Sequence, residues 1–225
     1  MAIDYSCDGC GKMSPGEYGR IRIDGVANCP GDITVTEDIR VDGVMNIKGG
    51  MIAKGEVRID GVLRCDGALT AEKLLLVDGV ADFYADVRAE KAEIDGAARI
   101  HGGRLEADEI LCDGALSVDG EISADVINAE GYIQAEQIVG DKVTIGSHPS
   151  FFRKLTGVTL NSSAIKLIEA TTVSLRLVKA DTVNGRDIEI GEGCEIENLD
   201  CSGTLTIHRS ARVKNITGDH TRVEK

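Results

Sequence analysis

The sequence predicts an all-β chain wound as a parallel β-helix, a solenoid of about 18 residues per coil around a triangular core. Three observations predict it. Asp-Gly recurs as Asp24-Gly25, Asp42-Gly43, Asp60-Gly61, Asp78-Gly79, Asp95-Gly96 and Asp113-Gly114, with Glu130-Gly131 as a weaker seventh copy, and the interval between copies hardly varies. Inside that period lie three alternating apolar pairs, evenly spaced. Aromatic residues make up only 3% of the chain, with no Trp, as a core too narrow for large rings demands. A period near 18 is too short for a helical repeat and suits one turn of a solenoid, which buries its inward row by stacking on its neighbours.

Taken in order, residues 1–20 lack the repeat and read as a flexible N-terminal arm carrying Cys7-x-x-Cys10. Residues 21–146 make about seven coils. The first strand of each holds pairs such as Ile21/Ile23, Ile39/Val41 and Val57/Ile59. The second holds Ala27/Cys29, Met45/Ile47 and Leu63/Cys65, and the third Ile33/Val35, Met51/Ala53 and Leu69/Ala71. Side chains alternate across a strand, so each pair points inward. The corner after the first strand carries Gly25, Gly43, Gly61, Gly79, Gly96, Gly114 and Gly131. A sharp corner needs either positive φ or close approach of stacked backbones, and glycine accepts both. Residues 147–157 break the pattern as an irregular loop. Alternating pairs return over 158–217, a second β-helical segment in line with the first or folded beside it. Residues 218–225 are a polar tail.

The net charge of −13 argues against nucleic acid, which rewards clustered Lys and Arg. No apolar run reaches the ~18 residues of a membrane span, and no signal peptide opens the sequence. Seven scattered cysteines do not suggest a disulfide framework. These features point to a soluble, reduced, cytoplasmic protein.

The repeat places Asp24, Asp42, Asp60, Asp78, Asp95 and Asp113 in one acidic ladder, a rung every ~4.8 Å. In water, neighbouring carboxylates at that spacing repel by about 0.9 kcal/mol, so something must offset the repulsion. Each carboxylate could cap the backbone N–H groups of its own corner, and Arg22, Arg40 and Arg58 form a charge lattice beside the first three rungs. A row of divalent cation sites is the alternative, although one carboxylate per corner supplies few of the six to eight oxygens calcium takes. Past Arg58 the arginine column gives way to Leu76, Glu93, Leu111 and Asn128. Its leucines are either scattered surface residues or a lateral contact.

Cys7 and Cys10 resemble half of a zinc knuckle, the candidate metal site, with zinc as the one cofactor considered. No second C-x-x-C completes four ligands, so reduced thiols on a flexible arm are the alternative. Phe151, Phe152 and Leu155, beside Arg153 and Lys154, either plug the end of the first segment or dip into an anionic membrane surface. His101, His148, His208 and His220 show no partner spacing for catalysis.

The run of x-Ile-Asp-Gly-Val coils, closed by Ala180-Asp-Thr-Val-Asn-Gly185 and Ile188-Glu-Ile-Gly-Glu-Gly-Cys-Glu-Ile196, resembles the bactofilin family of polymer-forming bacterial cytoskeletal proteins. It is most similar to the longer, two-segment members of Gram-positive bacteria. The resemblance covers roughly residues 16–218, whereas the Cys7–Cys10 stretch departs from the family pattern. It implies a right-handed β-helix, end-to-end filaments without bound nucleotide, and roles in morphogenesis, motility or protein positioning. The partners so implied are the chain itself and, beyond it, a membrane surface or cell-envelope proteins.

The expected function is therefore a non-enzymatic scaffold. Its polymer interface is expected at the first and last coils, on Ile21, Ile23, Leu205, Ile207 and Val213. Two rivals share the periodicity. A left-handed hexapeptide-repeat acyltransferase would use His148 beside the 147–157 loop, and a monomeric β-helical adaptor would carry metal on its N-terminal arm.

Overall fold

The computed structural model describes residues 2–146 and 163–223. These residues contain no helix and form one sheet of 25 strands wound as a β-solenoid of about 12 turns, ~17 residues per turn. Every strand pairs in parallel with its equivalent one coil away, as Val62–Cys65 does with Val44–Ile47 on one side and Val80–Phe83 on the other.

The apolar pairs fill the inside as the alternation requires. Ile21, Ile23, Met45, Val57, Leu63 and Cys65 are fully enclosed, and Phe83 is the largest side chain in the core. Its column neighbours are Cys65 below and Ile100 above. Most of the inward positions are β-branched residues or alanine, which suit a half-pleated surface facing a narrow lumen.

The corner glycines are needed for space and not for positive φ. Among the described residues, left-handed glycines are Gly16, Gly102, Gly193 and Gly218, none of them in the Asp-Gly column. A Cβ on Gly61 would instead stand 2.0 Å from the Gly43 carbonyl oxygen and 2.5 Å from that of Asp42. The coils stack through this corner, with Gly61 N donating to Val41 O at 2.8 Å and Val62 N to Gly43 O at 2.8 Å.

Two expected boundaries change. The N-terminal arm is instead the first coil: Ile3–Cys7 pairs with Gly16–Ile23, Cys10–Lys12 pairs with Val26–Cys29, and Cys7 and Met13 are buried. The polar tail likewise contains Thr221–Val223, paired with Thr204–Ile207. In both places backbone pairing needs no side-chain pattern, so a strand laid over an existing coil end forms from polar sequence.

The second segment continues the first. Tyr132–Gly146 and Ser163–Arg176 pair along eleven positions, from Gln134 opposite Ala164 to Gly146 opposite Arg176. The buried Ser163 hydroxyl accepts the Ile133 N–H at 3.2 Å where the chain returns. Here the turns shorten. Glu121 lies opposite Gln137 and Ser163 opposite Val178, which brings the period down to roughly 15–16. The expected loop at 147–157, with Phe151, Phe152, Leu155 and His148, lies outside the described residues, as do Val158 and Leu160 of the 158–217 segment.

Candidate assembly surfaces

The solenoid offers two kinds of surface, its ends and its sides. At the N-terminal end, Ile3–Cys7 and Cys10–Lys12 each pair on one edge, and no strand among the described residues takes the other. Ile3 is 77% exposed there, and Tyr5 meets Tyr18 edge to face, their centroids 5.9 Å apart. At the other end, Arg212–Thr217 and Thr221–Val223 are open on their outer edges in the same way. Val213 and Ile216 are only partly covered, and Val223 is 45% exposed.

Three of the five residues expected at the interface lie inside. Ile21 and Ile23 are roofed by the coil that begins at Ile3, and Leu205 by Arg222 of the strand above it. Val213 sits in the last coil, and Ile207, one coil further in, is partly buried. The interior positions carry the stronger apolar pattern and the end coils the weaker one.

On the sides, the charge lattice is built by register. Arg22 bonds Asp24 at 3.0 Å and reaches Asp42 at 3.8 Å. Arg40 bonds Asp42 at 2.9 Å and Asp60 at 3.0 Å, and Arg58 bonds Asp60 and Asp78, both at 3.1 Å. Each guanidinium thus bridges its own coil and the next, and its planar fork suits two acceptors. The Arg40 hydrogen bond holds the Asp42 carboxyl down at about 2. Asp78, the last rung an arginine reaches, is pushed the other way by burial and by Asp60.

The expected capping role of this ladder is corrected. Arginines, and not corner amides, take the carboxylates of Asp24, Asp42 and Asp60. Capping falls to other aspartates, each accepting an N–H from the following coil: Asp32 from Gly50 at 2.7 Å, Asp38 from Glu56 at 3.0 Å and Asp86 from Arg104 at 3.1 Å. Their signal in the sequence is an acid at a strand start or at a corner away from Asp-Gly. The leucine column is broken, because Lys91 with Glu93 at 2.9 Å and Glu109 at 3.1 Å separates Leu76 from Leu111.

A second acidic column emerges only in the structure. Glu72, Glu90, Asp108, Asp125 and Asp141 wall a shallow groove of about 680 Å³ floored by Ala71, Ala89, Ala107 and Ala124.

Cys7 turns inward, its Sγ donating to Gly9 O at 3.3 Å, while Cys10 is exposed. The structure does not bring the two thiols to one side, and no group of three metal-ligating side chains occurs among the described residues. Burial raises the Cys65 thiol to about 11 and the Cys112 thiol to about 12, so both sit as small apolar fillers. His101 stacks on Tyr84 with centroids 4.8 Å apart, between Asp82 at 3.9 Å and Asp119 at 3.7 Å, and His208 bonds Ser210 at 2.8 Å. Neither forms a nucleophile–base–acid arrangement. No helix among the described residues is long and apolar enough to cross a membrane.

Against known protein families, residues 41–136 match the model described as "Bactofilin: Polymer-forming cytoskeletal". Over that segment the chain is thus similar to the bactofilin family. The match takes in the corners from Asp42-Gly43 to Asp119-Gly120 and ends at residue 136, where the turns begin to shorten. Neither the curated proteins nor the solved structures contain a match to this chain.

Proposed function

We propose that this chain is a non-enzymatic, bactofilin-like scaffold that stacks end to end into filaments without bound nucleotide. The observation that carries the reading is the pair of open ends. Among the described residues each presents unpaired strand edges around a partly covered apolar face, the same kind of surface that every internal coil buries against its neighbour. A second chain placed there repeats the internal contact, and a head-to-tail contact of this kind does not close, so it propagates. No phosphate-cradling loop is present among the described residues to couple assembly to a nucleotide. Roles in cell morphogenesis, motility or the positioning of other proteins, in the cytoplasm and with contacts to the membrane surface or cell envelope, extend the same reading.

The test is electron microscopy and sedimentation of the purified 225-residue chain. The expected result is filaments that form more readily as salt screens the −13 charge. Val213→Lys, in the last coil, is expected to stop elongation while the melting of the inner coils is retained. Wild-type protein that stays monomeric across protein concentration and salt overturns the proposal.

A further inference from the structure

The chain contains nine Asp-Gly dipeptides, from Asp8-Gly9 to Asp119-Gly120. Such a bond is open to one intramolecular reaction, because glycine has no Cβ to shield its own amide nitrogen. The nitrogen attacks the aspartate Cγ, an N–Cγ bond forms, and the amide hydrogen leaves with the side-chain hydroxyl as water, closing a succinimide. Water then adds at the former main-chain carbonyl and breaks its bond to nitrogen. The chain now runs through Cβ and Cγ, and the old carbonyl is a free carboxylate. One water leaves, one returns, and the product is isoaspartate.

The attack requires the glycine amide to be free to turn onto the side chain. In seven of the nine it is held. Gly25, Gly43, Gly61, Gly67, Gly79, Gly96 and Gly114 each donate to a carbonyl of the preceding coil at 2.8–2.9 Å. The same stacking that forbids a Cβ at these corners also pins the nucleophile.

Gly9 and Gly120 differ. Neither amide donates a hydrogen bond among the described residues. Gly9 lies in the first described coil, no carbonyl among the described residues takes its N–H, and a Cβ there would meet nothing within 4 Å. Gly120 follows a coil that carries the extra residue of Gly102-Gly103, with Gly102 at φ 65°; the Gly103 carbonyl lies beside it, 2.6 Å from where a Cβ would stand, but the N–H makes no bond like that of Gly67 to Gly49 O. The carboxylates are accessible as well. Asp8 is exposed and makes no hydrogen bond or ion pair among the described residues. The Asp119 side chain is 58% exposed, its one hydrogen bond a long 3.3 Å acceptance from Gly102 N.

We infer that Asp8 and Asp119 are the positions at which this chain forms isoaspartate, and that the solenoid shields the other seven Asp-Gly bonds. At Asp8 the consequence falls on the end surface. Gly9 O accepts the Val26 N–H at 2.6 Å, and an added backbone methylene displaces that acceptor. Asp119 lies well away from both ends, so its reactivity does not depend on end-to-end stacking. The Asp8 arm alone rests on that reading, because a stacked neighbour would supply Gly9 with an acceptor.

The experiment incubates the full chain at neutral pH and physiological temperature, folded and in urea, and counts isoaspartate at each site by fragmentation mass spectrometry of the digest. In urea all nine sites are expected to convert at similar rates. In the folded chain Asp119 and Asp8 should stay within a few-fold of that rate, while the seven others slow by at least about tenfold, since each must wait for local opening. Even conversion across the nine folded sites, or Asp119 as slow as Asp60 and Asp78, overturns the inference. Slowing of Asp8 alone that vanishes in Val213→Lys supports it, and marks the end contact as the missing acceptor.

Discussion

The solenoid turns its corners in two ways. Between Gly16 and Gly131 most strands are short, glycine corners punctuate them, and the period is roughly 17–18. From Tyr132 to Ile190, three strands of 15, 14 and 13 residues run around the corners without stopping. There the period drops to roughly 15–16. The core is equally dry in both regions, with Ile59 and Leu63 in the first and Ile168 and Val183 in the second at 0% exposure. Tight corners are thus one way of closing a coil and not a condition for it. What differs is where sequence is constrained: at the Asp-Gly corner in every coil of the first region, and in the second at the inward apolar positions and one column of small residues, Gly140, Ala170 and Gly185.

The largest difference is expected at the glycines. Gly61→Ala drives a Cβ into the backbone of the coil below, which has no flexible side chain to yield, and should cost about 3 kcal/mol in a urea titration. Gly146→Ala, whose Cβ would come no closer than 3.8 Å to Arg176, should stay within about 0.5 kcal/mol of wild type. Equal effects at the two sites would erase the distinction between the regions.

A smaller effect is expected from the arginine lattice, which the short-turn region lacks. Arg40→Ala leaves Asp42 and Asp60 facing each other with half their partners and should lower Tm by about 1–3 °C at neutral pH. The sign with pH follows from Asp42. Its carboxyl is held below the ordinary value of 3.8, at about 2, so its stabilisation is present above that ordinary value and is lost as pH falls toward 2. Asp78 is shifted upward, so protonating it relieves the fold over the first part of the same descent. The gap between wild type and Arg40→Ala should therefore narrow below about pH 4 and close near pH 2. A gap that widened on acidification would refute the lattice.

The smallest effect belongs to the exposed pairs of the second region. Lys179 bonds Glu195 at 3.0 Å on the short-turn side, both well exposed, and Glu195 also meets Arg212 at 3.4 Å. Lys179→Ala should move Tm by less than about 1 °C. A loss as large as that of Arg40→Ala would show that the pairs there act as a network.

The sequence by itself determined the repeat, the inward rows and the acidic ladder, because each is a local pattern copied at a fixed period. Met45, Leu63 and Cys65 could be placed in the core, and Arg40 beside Asp42, without coordinates. The short turns were also legible in part. One shortened period links Ile168 with Val183, Val173 with Ile188 and Leu175 with Ile190, but no repeated Asp-Gly marks it. Only the tertiary structure decided the rest. That Gly61 serves close approach and not positive φ depends on where the neighbouring coil's carbonyls lie. That residues 3–12 form a coil depends on an edge already present to receive them. Register across 147–162 depends on which strands lie side by side after an insertion. In each case the deciding partner is a backbone group one coil away, and backbone hydrogen bonding leaves no mark in the identity of the side chains.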